Sequence, residues 1–407
     1  MKVCIISNYL PDYHNIWGGA ERAALLLIEG LKNKKIDVAV ITNDTNIKKT
    51  NLNIFFIKQD NKISKKILNR LFNFSYYNPL LTDRIDALLD DIKPDLLHLQ
   101  NFSTFSTTII KQAKRKKIPV VFSIYDYWAF CPNGLLMYKF KHNCHYFHGL
   151  KCKNCFKYVP YGRCSYFNAL ERVLFKKYLN HIDRFIVLSR NSFEILFKYG
   201  IDKNKLRIIP LPLYEEVKTD NHFENGLILF VGWISYNKGL HILIEAVSKI
   251  IKDLPFISVY VAETGAVESY KQYIFNLIDR LSLNPKIKFL GKLSHQEINN
   301  LLRLAHIVVI PEQWQNPLPL ILAEAINFKR PIVASKIGGI PEILKQERFL
   351  AQYNSPEDFA DKISWIIKNT PEAFNYAEDL NQEVSQILSV NNNLDRIIKL
   401  YYEVLKG

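Results

Sequence analysis

The sequence predicts an α/β protein made of two Rossmann-like domains whose parallel sheets face a central cleft. Three observations predict it. Short β-branched runs alternate with stretches of helical spacing along the whole chain, which is the pattern of a parallel sheet with helical crossovers. The alternation breaks once, at Pro210-Leu211-Pro212 and the polar residues 215–225 that follow, as a linker would. The length, 407 residues, exceeds what one hydrophobic core usually organises.

In the first half, Val3–Ile6 reads as a strand, and Ala20–Leu31 as a helix with Leu25, Ile28 and Leu31 on one face. Strands follow at Val38–Ile41 and Ile54–Ile57, a helix at Asp83–Asp91, a strand at Leu96–Leu99, a helix at Thr107–Lys114 and a strand at Val120–Ser123. Beyond an irregular stretch come a long helix near Asn168–Tyr178, a strand at Phe185–Leu188, a helix at Ser192–Tyr199 and a strand at Leu206–Ile209. The second half repeats the scheme. Its strands are Leu227–Val231, Ile257–Val261, Ile287–Phe289, Ile307–Ile310, Ile332–Ala334 and Phe349–Ala351, with helices between. The expected domains are residues 1–212 and 213–385, with a terminal helical segment at 386–407.

The chain is 48% hydrophobic and 23% charged, a globular composition that excludes a disordered chain. The formal net charge of +15 suits anionic partners: nucleic acid, anionic lipid or a phosphorylated substrate. Biased usage of Lys, Asn and Ile accounts for the same charge without any function. The N-terminal stretch Met1–Asn8 is too short in apolar length for a secretion signal, and no apolar run reaches a membrane span. The expectation is a cytoplasmic protein, with peripheral contact at the inner membrane face allowed.

The most informative segment is Pro311 to Ala325. A β-branched strand stops at a proline, a polar loop follows, and a helix-like stretch then carries one acid, Glu324, in apolar surroundings. A helix N-terminus offers amides to a phosphate, and a carboxylate one to two turns in accepts hydrogen bonds from a sugar diol. Glu312 could point either into the cleft or into water. Residues 331–342, with Gly338-Gly339, repeat the strand, turn and helix order. Two such units in a row suggest a nucleotide-diphosphate site. Gly18 and Gly19 open the first domain's first helix, where glycines let backbone approach a ligand. In the second domain Gly232 closes the first strand. Lys238 follows beside a helix start, where a cation is favourable only opposite a bound anion.

Gly18-Gly19-Ala20-Glu21, Val231-Gly232 with Lys238-Gly239, Pro311 to Ala325, and Gly338 to Glu342 together resemble the retaining GT-B glycosyltransferases of family 4, glycosyl transferases group 1. The resemblance spans nearly the whole chain. Residues 122–132 also look like a stretch common in bacterial members. The resemblance implies that a nucleotide-sugar donor binds mainly to the C-terminal domain. It implies that Glu324 holds the ribose hydroxyls and Lys238 the diphosphate. Backbone amides of Leu320 and Ile321 would hold phosphate, and Gly18 and Gly19 would approach from the other domain. Transfer on one sugar face without a catalytic metal is implied as well, as is a C-terminal helix packed back toward the N-terminal domain. Three positions depart from the pattern. Asn316 stands where the first acid of the Glu-x7-Glu signature is expected, Trp233 where members usually carry Arg, and Tyr125 where many carry His.

Five of the six cysteines fall between positions 131 and 164. Cys131, Cys144, Cys152 and Cys155 could supply four thiolates to a structural zinc; reduced cysteines in an aromatic loop are the alternative. The loop at about 131–165 is basic and aromatic, which fits acceptor or anionic-membrane recognition and, less well, base stacking. His98, at a strand's carboxyl end, could face the cleft or be satisfied structurally.

The sequence therefore reads as a retaining, hexosyl-type glycosyltransferase. It would move a sugar from a nucleotide-diphosphate donor to a glycan or lipid-linked acceptor in surface polysaccharide or glycoconjugate synthesis. Asn316, Lys238 and Asp126 are the candidate catalytic residues. Gly18, Gly19, Gly232, Lys238, Asn316, Leu320, Ile321 and Glu324 would bind donor. His98, Tyr125 and Asp126 would lie on the acceptor side. No cofactor is required for catalysis, and nucleic acid is the less favoured partner. The rival readings are a catalytically weakened GT-B binding protein, acting at membrane or nucleic acid through the basic loop, and a nucleotide-sugar epimerase or a phosphorylase of the same fold.

Overall fold

Lys2–Ile6 forms β1, a strand buried on both faces, as its unbroken apolar run requires. In the computed structural model the described residues are 1–14, 16, 18–45, 53–57, 78–131, 133–138, 142–144, 176–210 and 222–407. The chain divides into two compact units, Met1–Pro210 with Asn393–Gly407, and Leu211–Asn392.

In the first unit β1 is followed by β2 (Asp37–Asn43), β3 (Asn53–Ile57), β4 (Leu96–Leu99), β5 (Val120–Ile124), a short antiparallel hairpin of β6 (Met137–Tyr138) and β7 (His142–Asn143), then β8 (Arg184–Val187) and β9 (Leu206–Ile208). Among the described residues, seven of these strands make one sheet in the order β3-β2-β1-β4-β5-β8-β9, with every pairing parallel. Helices Gly19–Asn33, Thr82–Ile92, Thr108–Arg115 and Arg190–Tyr199 make the crossovers. The Gly19–Asn33 helix is rich in Ala and Leu, strong helix formers, and buries Ala24, Leu27, Ile28 and Leu31 in the core beside β1 and β2. Leu394, Leu400 and Tyr401 of the terminal helix Val390–Lys406 join the same core. The hairpin was not anticipated, because two-residue strands carry no periodicity. The expected helix at 168–178 lies largely outside the described residues; 176–179 are helical.

The second unit contains β10 (Leu227–Ile234), β11 (Ser258–Ala266), β12 (Ile287–Gly291), β13 (Ile307–Ile310), β14 (Ile332–Ser335) and β15 (Leu350–Ala351). They form one parallel sheet in the order β12-β11-β10-β13-β14-β15. The four residues of β13 are all buried, and each such Ile or Val contributes about 1.5–3 kcal/mol of transfer free energy. Local capping sets the helix starts: Ser294 and Glu297 form a reciprocal capping box for His295–Leu304. Two strands run furthest past their expected ends, β10 to Ile234 and β11 to Ala266. Their register slips between Gly232 and Trp233, so a bulge sits at the carboxyl end.

Both sheets share one topological property. β1 lies between β2 and β4, and β10 between β11 and β13, so strand order reverses beside each unit's first strand. In open parallel sheets, loops leaving the strands' carboxyl ends diverge at that reversal and make a crevice for ligands.

Candidate functional site

In the second unit the crevice is built by the loops leaving β10 and β13. After β10 the chain makes a 3-10 turn, Tyr236–Lys238, and reaches Gly239 at φ +71° before the helix Leu240–Ile250. A Cβ on Gly239 would lie 1.8 Å from the Pro311 carbonyl oxygen. Only glycine permits both that conformation and that approach. The Gln313 amide then donates to the Asn237 carbonyl at 2.8 Å, closing one loop on the other.

This approach brings Lys238 to Glu312. Lys238 Nζ stands 2.5 Å from Glu312 Oε1, and the two side chains are 25% and 2% exposed. The Asn316 side-chain amide donates to the same oxygen at 2.9 Å, and Trp314 Nε1–H donates to Oε2. A buried carboxylate is tolerable only when its lone pairs are used in this way. Glu312 therefore points neither into an open crevice nor into bulk water. A second tight turn supports the loop from behind. Gly338 sits at φ +63°, where a Cβ would lie 2.3 Å from the Asn316 carbonyl oxygen, and the Gly339 amide donates to that oxygen at 2.9 Å.

The loop ends at Pro319, and the helix Leu320–Asn327 starts with no acid in its first turn. Its leading amides, around Leu320 and Ile321, thus present the positive end of a short dipole. Glu324 lies one turn further in and is 3% exposed. Helix-start amides and a buried carboxylate on one loop–helix unit, with the Lys238 ammonium on the neighbouring turn, suit a ligand with an anionic part and a hydroxyl-bearing part. Gly232 sits at the bulge. Trp233 beside it is 42% exposed, and its ring covers Gly265, where a Cβ would come within 2.5 Å. A larger concavity of about 810 Å³, near Arg348, Trp365 and Tyr376, flanks the amino end of β15. That is the wrong edge of the sheet for such a crevice.

The first unit carries a different carboxyl edge. Gly18 is the N-cap of the Gly19–Asn33 helix, and Glu21 folds back toward it. Glu21 accepts from Asn101 Nδ2 at 3.3 Å and is 7% exposed. Burial is the main cause holding its carboxyl above the usual range, with the nearby Asp126 charge adding to the effect. Asp126 accepts the Trp128 amide at 2.8 Å. Its carboxyl reaches solvent, yet desolvation by the surrounding protein pushes it up to about 6. Tyr125 donates from its hydroxyl to Gln100 Oε1 at 2.6 Å, and burial raises its phenol. Ala20, Gln100, Asn101, Tyr125, Asp126 and Trp128 share the wall of one small cavity.

His98 takes the structural alternative. It is fully buried, and its two ring nitrogens meet the Tyr401 hydroxyl at 2.5 Å and Ser123 Oγ at 2.8 Å. It ties β4 to the terminal helix, and burial lowers its pKa to about 3.

Asn8, Asn43, Asn101 and Thr104 were missed from the sequence. The Asn8 amide nitrogen donates to Asn101 Oδ1 and Ser103 Oγ at 2.6 and 2.7 Å. Asn8 Oδ1 accepts from the Thr104 amide and hydroxyl at 3.0 and 2.7 Å. Asn43 donates to the Asn8 carbonyl at 2.9 Å. A signal was present: β1, β2 and β4 run into Ser7-Asn8, Thr42-Asn43 and Gln100-Asn101, each a polar residue followed by asparagine.

Cys131 is buried and its Sγ lies 3.0 Å from Asn133 Oδ1; Cys144 is half-buried. Cys152 and Cys155 lie outside the described residues, as does most of the 131–165 loop. Among the described residues no group of three or more His, Cys, Asp or Glu could hold a metal ion. No helix there is long and apolar enough to cross a membrane.

Two family models match the chain: Glycosyltransferase Family 4 over residues 17–213 and Glycosyl transferases group 1 over residues 215–386. The chain belongs to the group 1, family 4 glycosyltransferases. A protein of the cps region of Klebsiella pneumoniae, uncharacterised and of 42.6 kDa, is 22% identical over 98% of this chain and 100% of its own length. Among solved structures, Anabaena HepE in complex with UDP-glucose superposes with a TM-score of 0.72 at 16% identity, covering 99% of this glycosyltransferase and 100% of that chain. The lipopolysaccharide outer core galactosyltransferase WaaB, in its apo form, does so with a TM-score of 0.62 at 13% identity, covering 98% and 99%. At these identities the likeness establishes the GT-B fold. In this glycosyltransferase the acid expected at position 316 is an amide, and a carboxylate stands four residues earlier, at Glu312.

Proposed function

We propose that this glycosyltransferase is a retaining enzyme that moves a sugar from a nucleotide-diphosphate donor to a glycan or lipid-linked acceptor. The observation that carries the reading is the loop–helix unit Pro311–Asn327 with Lys238 of the β10 turn paired to it: the ammonium, the helix-start amides and Glu324 offer a diphosphate and a ribose what each needs. Lys238 and the amides at Leu320 and Ile321 would take the charge that develops on the departing diphosphate. Glu324 would accept hydrogen bonds from the ribose hydroxyls, and Asn316 would orient the sugar ring. In the step itself the bond from the anomeric carbon to the diphosphate oxygen breaks. The acceptor hydroxyl oxygen bonds to that carbon on the same sugar face, and its proton passes to the leaving diphosphate. Asp126 and Tyr125, on the first unit's cavity, are the candidate acceptor-side groups. The UDP-glucose bound to HepE supports a UDP-sugar as the first donor to try, and the lipopolysaccharide acceptor in the name WaaB supports a surface glycan.

The test is release of free nucleotide from a panel of UDP-, GDP- and ADP-sugars, with and without glycan acceptors, followed by NMR of the product's anomeric configuration. One donor should be turned over and its configuration kept. Inversion contradicts the retaining assignment. Absence of both binding and turnover across the panel contradicts the enzyme reading and favours a binding protein, which the departures at Asn316, Trp233 and Tyr125 would then explain.

A further inference from the structure

The loop after β13 holds two polar side chains that only the fold explains, Glu312 and Asn316. Both are nearly sealed, at 2% and 5% exposed. An ionised carboxylate can only accept hydrogen bonds, so the atom of Asn316 that faces Glu312 Oε1 at 2.9 Å must be its NH2 group. This fixes the amide's orientation. With one N–H given to Glu312, the Asn316 amide is held in one orientation, and its Oδ1 is the acceptor it offers to any other partner. The second N–H remains a donor, but the oxygen side of the amide is fixed as an acceptor, as one oxygen of a carboxylate at that position would be. The same Glu312 oxygen holds Lys238 at 2.5 Å, so the only full negative charge of this cluster lies behind the amide.

We propose that Glu312 is a positioning residue for sugar transfer: it orients the Asn316 amide so that its Oδ1 accepts from the donor's sugar hydroxyls. The acid of the site has moved from position 316 to position 312, and the pair acts together as one carboxylate does. This rests on the donor site described under Proposed function. It adds that the amide at 316 does not mark a weakened enzyme.

A glutamine at 312 presents its own NH2 group as well as an acceptor, so it cannot serve Lys238, Trp314 and Asn316 at once. The amide at 316 is then free to turn. Full-length wild type, Glu312→Gln and the double variant Glu312→Gln/Asn316→Glu are compared in two assays. One is UDP binding by calorimetry, and the other is turnover of whichever nucleotide sugar the panel identifies. The expected result is that Glu312→Gln lowers kcat about 10- to 100-fold while UDP affinity changes less than about threefold, because UDP lacks the sugar that Asn316 contacts. The double variant, with the acid moved to 316, should recover to within about fivefold of wild type. A purely structural role for Glu312 would weaken UDP binding and turnover together and would not be rescued. Unchanged kcat in Glu312→Gln, or a further loss in the double variant, overturns the inference and leaves the proposed function standing. A wild type that neither binds UDP nor turns over any nucleotide sugar overturns both. If Glu312→Gln does not fold, Asn316→Asp answers instead. Two facing carboxylates cannot both ionise readily, so kcat should show an ionisation above the ordinary aspartate range that wild type lacks. A pH profile identical to wild type would overturn the inference.

Discussion

The carboxyl edges of the two sheets have the same topology and different chemistry. Beyond β1 and β4 the first unit is knitted by neutral groups, with Asn8 bonded to Asn101, Ser103 and Thr104 and bearing no charge. Beyond β10 and β13 the second unit is knitted by one carboxylate that receives an ammonium, an indole N–H and an amide. The difference shows how a common scaffold is specialised. Neutral amides set shape and can select among hydroxyls, whereas a charged hub fixes the place of a cation.

The comparison can be broken by deleting each hub. Glu312→Ala removes the partner of a half-buried lysine and the acceptor of the Trp314 indole and the Asn316 amide. It should destabilise the protein by about 4 kcal/mol, read from urea unfolding. Asn8→Ala loses neutral bonds only and should cost about 2 kcal/mol in the same assay. Equal losses would mean that charge is not what separates the two edges.

Much of this was legible in the sequence. The β-branched runs located the strands because parallel strands are buried on both faces and leave no polar alternation to misread. Glu324 stood out as one acid in an apolar helix. The partnership of Lys238 with Glu312 was not legible, since 74 residues separate them and the contact depends on the backbone of Gly239 lying on Pro311. The parity that would orient Glu312 ends with the strand at Ile310. His98 was ambiguous for the same physical reason, because in a strand covered on both faces position does not reveal a partner. That partner, Tyr401, is 303 residues away.

A smaller effect sharpens the contrast within the first unit. Burial raises the Glu21 carboxyl above its ordinary value, so the folded state holds a proton that the unfolded state releases earlier. Stability on this account is fullest below the ordinary glutamate pKa and is lost as pH rises through the raised one. Glu21→Gln should flatten that fall, read as the dependence of Tm on pH from 4 to 7. An unchanged slope would place the acid in water.

The most direct measurement is a calorimetric titration of UDP into wild type and Glu324→Ala. If the second unit's carboxyl edge grips a nucleotide by its ribose, losing the carboxylate's hydrogen bonds should weaken UDP by roughly tenfold or more with the fold intact. Equal affinity in the two proteins would contradict the account.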